Sequence, residues 1–277
     1  MKRDGSIFLF GLGAPKAGTS WLHGYLAEHP EVSVPPMKEL HFFNSVDGNL
    51  AGRLEKMDAK ISKATTSERL SELQEIRSLL VDGSDAAYVA YMNSVADDQN
   101  VKADITPAYG LLSLKRLKQM QAMGESHFIY LMRDPVARLW SNIRMDAVRE
   151  VKKSGGDLAQ VCKTVFDRVM NGKSPALLER TDYAGTLAKI AKLDPTRVLV
   201  IFFEELFTNE TVTRICDFLE ITVVPALFGK RINEGQAVVL ADADRIRAAK
   251  YLKPQYAAAQ AHMGRLPAKW KQNAGVA

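Results

Sequence analysis

The apolar run 7–12 passes without a break into the turn Gly11-Leu12-Gly13-Ala14-Pro15-Lys16-Ala17-Gly18-Thr19-Ser20, and a helical pattern follows over 20–28. A run this short, bounded by turn residues, reads as a strand covered on both faces. Similar runs occupy 127–132 and 198–203, with weaker ones at 31–34 and 101–105, and helical patterns lie at 111–123, 135–150, 183–192 and 210–219. Strands alternating with helices predict an α/β fold with a central, mainly parallel sheet flanked by helices.

One stretch departs from that alternation. Over 53–94, Leu54, Met57 and Ile61, then Leu70, Leu73, Ile76, Leu79 and Leu80, repeat at helical spacing with charges between them, which predicts a helical insertion. Such an insertion either forms a lid or substrate wall or packs on the core. No internal repeat or Pro/Ser-rich linker divides the 277 residues, so a single domain over 1–277 is expected.

Composition excludes several classes. At 47% hydrophobic and 25% charged, the chain is neither disordered nor collagenous. No apolar run approaches the roughly 20 residues of a membrane-spanning helix. Met1-Lys2-Arg3-Asp4 before the first apolar run has the look of a signal-peptide head, but Asp4 interrupts it, and cleavage after Ala14 or Ala17 would cut the glycine-rich turn. Cys162 and Cys216 show neither a disulfide framework nor zinc spacing, which suits a reducing, cytoplasmic setting. The 37 Lys and Arg exceed the 32 Asp and Glu by five, yet seven of the basic residues fall in 245–277, where no acid occurs, leaving 30 against 32 elsewhere. This basic, helical C-terminal segment is either a solvated face or a partner to an anion.

The glycine-rich turn sits where backbone N–H groups at a helix N-terminus can hold phosphate oxygens. Gly13 and Gly18 have the Walker A separation, but Thr19 stands where the Walker lysine belongs, and Lys16 lies two positions before Gly18. A kinase acting through ATP and Mg²⁺ needs that missing lysine. The altered placement suits a nucleotide whose 5′ phosphate carries a different transferable group.

Pro15-Lys16-Ala17-Gly18-Thr19-Ser20-Trp21-Leu22 resembles the 5′-phosphosulfate loop of sulfotransferases that use 3′-phosphoadenosine 5′-phosphosulfate (PAPS). The resemblance implies a three-layer, P-loop-like fold, adenosine 3′,5′-bisphosphate (PAP) as product, and Lys16 stabilising the departing phosphate while Ala17, Gly18, Thr19 and Ser20 hold the 5′ group. Trp21 matches a position beside adenine, and a core tryptophan on the helix is the other reading. Arg133-Asp134-Pro135-Val136-Ala137-Arg138-Leu139-Trp140-Ser141 has the form R-x-P-x-x-R-x-x-S of the family's 3′-phosphate motif. Arg133 and Ser141 are the expected phosphate ligands, and Arg138 is expected to brace the loop.

On the acceptor side, Lys38-Glu39-Leu40-His41-Phe42-Phe43 is similar to the K-E-x-H-F-F segment of glycosaminoglycan-type sulfotransferases. The resemblance makes Glu39 the base on an acceptor hydroxyl, with His41 its chemical rival. Asp104-Ile105-Thr106-Pro107-Ala108-Tyr109 resembles the family's E-K-[ST]-P-x-Y pattern, with aspartate for glutamate and isoleucine for lysine, so Asp104 is a third candidate. Phe228 to Gly235 occupies the place of a final cofactor loop, which adds Arg231 and Gly235 to the cofactor-binding set.

The expected activity is transfer of a sulfuryl group to a hydroxyl, or an amine, of a small-molecule, lipid or carbohydrate acceptor. No motif calls for a metal, and nucleic acid is not an expected partner. A P-loop small-molecule kinase and a non-catalytic nucleotide or polyanion binder are the alternatives.

Overall fold

The computed structural model describes residues 6–95, 99–229 and 238–275. Five strands, β1 (Ile7–Gly13), β2 (Val32–Ser33), β3 (Val101–Asp104), β4 (Glu125–Met132) and β5 (Val198–Phe202), form one sheet in the order β2-β3-β1-β4-β5, and every pairing is parallel. β1 lies at the centre with all seven residues buried, which is why its sequence is a continuous apolar run. The chain adds β2 and β3 on one side of β1 and then crosses to place β4 and β5 on the other. Strand order therefore reverses beside β1, and in open parallel sheets ligands bind beyond the strand carboxyl ends at such a reversal.

The predicted strands are all present, and the helical pattern at 20–28 corresponds to α1 (Thr19–Ala27). After the short α2 (Phe42–Val46), the insertion expected over 53–94 is α3 (Leu50–Ile61), α4 (Ser67–Asp82) and α5 (Asp85–Ser94). Asn49, Thr66 and Ser84 start its three helices by accepting the N–H of Gly52, Arg69 and Ala87. The insertion packs into the core through Met57, Leu73, Ile76 and Leu80, and through Tyr88, whose ring lies 4.6 Å from Phe43 and 6.1 Å from Phe10 of β1.

Beyond β3 come α6 (Leu114–Gln121), α7 (Pro135–Ser154), α8 (Leu158–Met170), α9 (Pro175–Glu179), α10 (Tyr183–Ile190) and α11 (Asn209–Leu219). α8 is absent from the sequence reading, although Cys162, Val165, Phe166 and Val169 give it an apolar face. α7 opens with Pro135 at its first position and Asp134 accepting the Ala137 N–H at 2.8 Å, so the helix starts where β4 ends.

The C-terminal segment is α12 (Asp242–Tyr251), α13 (Lys253–Met263) and α14 (Ala268–Ala274). It folds back behind the β4–α7 junction. Trp270 is fully buried, 4.9 Å from the Phe202 ring, and Asp134 accepts from the Tyr256 hydroxyl at 2.9 Å and from the Asn273 amide at 3.1 Å. Neutral groups, not cations, thus meet the junction. Arg247 pairs with Asp167, Arg245 with Asp242, and Arg265 with Glu205. Asp167 and Glu205 belong to the body and Asp242 to α12 itself, so part of the basic excess is matched by acids of the body.

Candidate active site

The motifs around Lys16 and Arg133, 117 residues apart, meet at the carboxyl ends of neighbouring strands. The Ala14 N–H donates to the Leu131 carbonyl at 2.7 Å, and one Arg133 guanidinium nitrogen donates to the Lys16 carbonyl at 3.3 Å. Arg133 also lies over the Phe203 ring at 4.7 Å, and its backbone N–H and C=O both bond the Tyr183 hydroxyl, at 3.2 and 2.7 Å. Arg138 is fully buried and holds the loop from beneath, donating to the carbonyls of Pro15 and Leu177 and, at 2.5 Å, to the Thr181 hydroxyl. Burial pushes its guanidinium down to about 10. Its place is the bracing one that the motif suggests.

The turn itself is built to present backbone N–H groups. Lys16 and Gly18 both adopt positive φ, 69° and 95°. Gly18 is the N-cap of α1 and supplies no side-chain cap, so the first N–H groups of the helix are left for a ligand. A Cβ on Gly18 would come within 2.6 Å of Leu206 and 3.0 Å of Phe203, which requires glycine on steric as well as conformational grounds.

Lys16 is held among cations. Burial lowers its pKa first, followed by Arg133, Arg144, Arg149 and Arg138. Its ammonium reaches the Met145 sulfur of α7 at 3.9 Å. Ser141 lies one helical turn before Met145 and shares its face, so Lys16, Arg133 and Ser141 border one space. A polyanion there would relieve the repulsion among the cations, and the uncapped helix N-terminus would add neutral donors. The residues present therefore fit a nucleotide bearing phosphate groups. Ala17 is buried and contributes backbone; Thr19 is buried at the helix start. Trp21 is also buried, stacked on Tyr25 at 5.8 Å and on Phe228 at 6.0 Å, within an aromatic column. Arg231 and Gly235 lie outside the described residues.

The acceptor-side segment crosses the end of β3. Glu39 and His41 have φ of 60° and 54°, an uncommon conformation for residues with a Cβ, held here by side chains from two other segments. Arg53 of α3 donates to the carbonyls of Leu40, at 2.7 Å, and Glu39, at 3.4 Å. From the other side, the His41 N–H donates to the Thr106 hydroxyl at 3.4 Å and the Phe42 N–H to the Tyr109 hydroxyl at 3.2 Å. Those two hydroxyls donate in turn to Asp104, at 2.6 and 2.7 Å, and Tyr88 adds a third bond at 3.1 Å. Asp104 is thus fully buried with both oxygens engaged, and burial pushes its carboxyl up. It anchors the turn that carries Glu39 and does not reach the open side of the site.

The Glu39 carboxylate is half-exposed, with His41 Nε2 at 3.4 Å and the Lys38 ammonium at 3.9 Å. The His41 hydrogen bond, then Lys38, hold its pKa below the usual carboxylate value against the opposing effect of burial. Lys38 also donates to the Ser20 hydroxyl at 2.6 Å, so it joins the acceptor segment to the phosphate turn. Burial lowers the Lys38 pKa. Sequence reasoning passes over Lys38, although it stands beside Glu39 in the quoted segment, and over Arg53, which belongs to no motif. Among the described residues no cluster of His, Cys, Asp and Glu is arranged to hold a metal ion, and no helix is long and apolar enough to cross a membrane.

Comparison with known proteins agrees with this geometry. A search of curated proteins finds no significant match. A sulfotransferase from Alicyclobacillus acidocaldarius, solved by crystallography, superposes with a TM-score of 0.63 at 21% identity, covering 97% of this chain and 99% of its own. The sulfotransferase domain of the Synechococcus olefin synthase superposes with a TM-score of 0.55 at 17% identity, covering 96% and 99%. At these identities the structures speak for the fold, a P-loop-like α/β architecture. The family model described as "Sulfotransferase family" matches residues 9–225, most of the chain and every motif up to α11, and the chain therefore belongs to the sulfotransferase family.

Proposed function

We propose that this single-domain enzyme transfers a sulfuryl group from PAPS to a hydroxyl of a small-molecule, lipid or carbohydrate acceptor. The observation that carries the reading is the Lys38 bridge: one ammonium bonds Ser20 of the phosphate turn and neighbours the Glu39 carboxylate, so donor and acceptor functions share one space.

In this reading the α1 N-terminus, Thr19 and Ser20 hold the 5′ phosphosulfate, and Arg133 with Ser141 holds the 3′ phosphate. PAPS supplies an electrophilic sulfur whose bond to the 5′-phosphate oxygen breaks as the acceptor oxygen attaches, releasing PAP. Glu39, ionised at neutral pH because His41 and Lys38 favour its charged form, takes the acceptor proton. Lys16 and Lys38 are fixed cations facing the oxygens on which charge builds, and such preorganised groups contribute without reorganising during the reaction. Arg138, Tyr183 and Asp104 touch no substrate; they hold the two turns that do.

Thermal unfolding tests the donor assignment. A ligand at 100 times its Kd stabilises the native state by about 2.7 kcal/mol. PAP is expected to raise the midpoint clearly, with AMP weaker and ATP–Mg²⁺ without effect. Stabilisation by ATP–Mg²⁺ and not by PAP would replace this reading with the small-molecule kinase.

A further inference from the structure

Between α3 and α4 lies a cavity of about 300 Å³ lined by Lys60, Lys63, Ala64, Thr65, Arg69 and Leu73. Lysines near a helix C-terminus are ordinary, since they complement the helix dipole. Here, however, the cations come from two helices and from the turn joining them, and they border the same concavity. No carboxylate lines it. Arg69 has a partner, Glu72, at 2.6 Å, whereas among the described residues neither Lys60 nor Lys63 has a carboxylate partner. The Lys60 ammonium instead approaches the Met37 sulfur at 3.5 Å, and burial, then Arg53 and Arg69, lower its pKa. The cavity floor is apolar, with Leu73 buried. α4 begins at this rim, where Thr66 caps it and Glu68 in its first turn offsets the positive end of the helix.

One residue that lines the cavity, Lys60, contacts the segment that carries Glu39. Met37 stands two residues before Glu39, and Arg53, which holds the Glu39 and Leu40 carbonyls, lies seven positions before Lys60 on α3. Seven residues are two helical turns, so Arg53 and Lys60 share a face about 10 Å apart.

We propose that Lys60, Lys63 and Arg69 form an oxyanion subsite that holds a phosphate, sulfate or carboxylate of the acceptor, beside the segment that Met37 and Arg53 tie to Glu39. This rests on the assignment of Glu39 to the acceptor. An acceptor with such a group is held at two points, which fixes the angle at which its hydroxyl meets the donor. The insertion thereby selects the acceptor by charge as well as supporting the core.

The test uses the full chain saturated with PAP, so that the donor site is filled, at constant ionic strength. Inorganic phosphate is titrated and its binding followed by ³¹P line broadening. Saturable binding is expected, weakened at least tenfold in K60Q/K63Q; K63Q alone, an exposed position, serves if the double variant does not fold. Absence of binding, or equal binding in the variants, overturns the proposal. Displacement of phosphate by 8-hydroxyoctanoate but not by 1,8-octanediol assigns the site to an acceptor-borne anion. Phosphate binding that 8-hydroxyoctanoate does not displace makes it a free-phosphate site and overturns the acceptor assignment. Failure of PAP to stabilise the protein is a separate result that strikes the donor reading instead.

Discussion

The Lys38 ammonium donates to the Ser20 hydroxyl at 2.6 Å while lying 3.9 Å from a Glu39 oxygen, so one side chain links the turn that carries Lys16 to the Glu39 carboxylate. Removing the link leaves both halves folded but no longer fixed against each other. Lys38→Met is expected to lower kcat by about 10–100-fold, because displacements of about 1 Å have effects of that size. PAP binding, measured by calorimetry, should weaken less than kcat falls. An unchanged kcat would remove Lys38 from the mechanism.

Glu39→Gln should keep PAP binding and lose turnover by about 10²–10⁴-fold, the usual worth of a positioned base. The pH profile separates Glu39 from His41. Because the Glu39 pKa is lowered, the base is ionised down to below the ordinary glutamate value near 4.3, and the acid limb of kcat/KM should fall there. In His41→Ala the strongest stabiliser of the carboxylate is gone, so the limb should move up in pH while turnover at neutral pH persists. Loss of turnover in His41→Ala, with retention in Glu39→Gln, would make His41 the base. The same shift affects stability: the ionised Glu39 favours the fold above its unfolded pKa, and that contribution is lost as pH falls through the lowered folded value.

Gly18→Ala is expected to destabilise the protein by about 1–3 kcal/mol, since a Cβ strains a left-handed residue and must push Leu206 and Phe203 aside. Denaturant unfolding measures that cost. The thermal shift given by PAP should disappear as well, because Gly18 is the N-cap of α1 and a change in its φ re-aims the first N–H groups of the helix. Full stabilisation by PAP in this variant would show that the helix N-terminus is not the phosphate site.

Asp104→Asn replaces an acceptor of three hydroxyl hydrogen bonds by a group with only one acceptor atom. A stability loss of about 1–3 kcal/mol is expected from the unsatisfied buried groups. Since Thr106 and Tyr109 transmit the change to the backbone at His41 and Phe42, kcat should fall while the PAP affinity stays near its original value. A fall in PAP affinity equal to that in kcat would mean a general loosening instead of a displaced Glu39.

Most of the framework is legible in the chain. β1 and β4 announce themselves as apolar runs because a central parallel strand has no solvent face, β5 as an apolar edge strand whose last three residues are buried, and α7 because proline and an aspartate cap mark its start. α2 and α9 are each five residues long, too short to show a period, whereas α8 carries a readable stripe that the alternation of strands and helices hides. In the site, Lys16, Gly18, Glu39 and Arg133 stand in local motifs. Arg53 and Tyr88 do not, because each acts on a segment distant in sequence.

The sequence alone determined the order of strands and helices, the two phosphate motifs and the acidic segment, since each depends on residues close together along the chain. The tertiary structure decided what those motifs do to one another. Reversal of strand order beside β1 brings Arg133 to the Lys16 backbone, and Asp104 proves to be an anchor because β3 delivers it into the core among three hydroxyls. The C-terminal segment divides in space: its cations Arg245, Arg247 and Arg265 meet acids, while its neutral Tyr256 and Asn273 reach Asp134 at the β4–α7 junction. Charge and hydrogen-bond partners are set by distance in space, which spacing along the chain does not record.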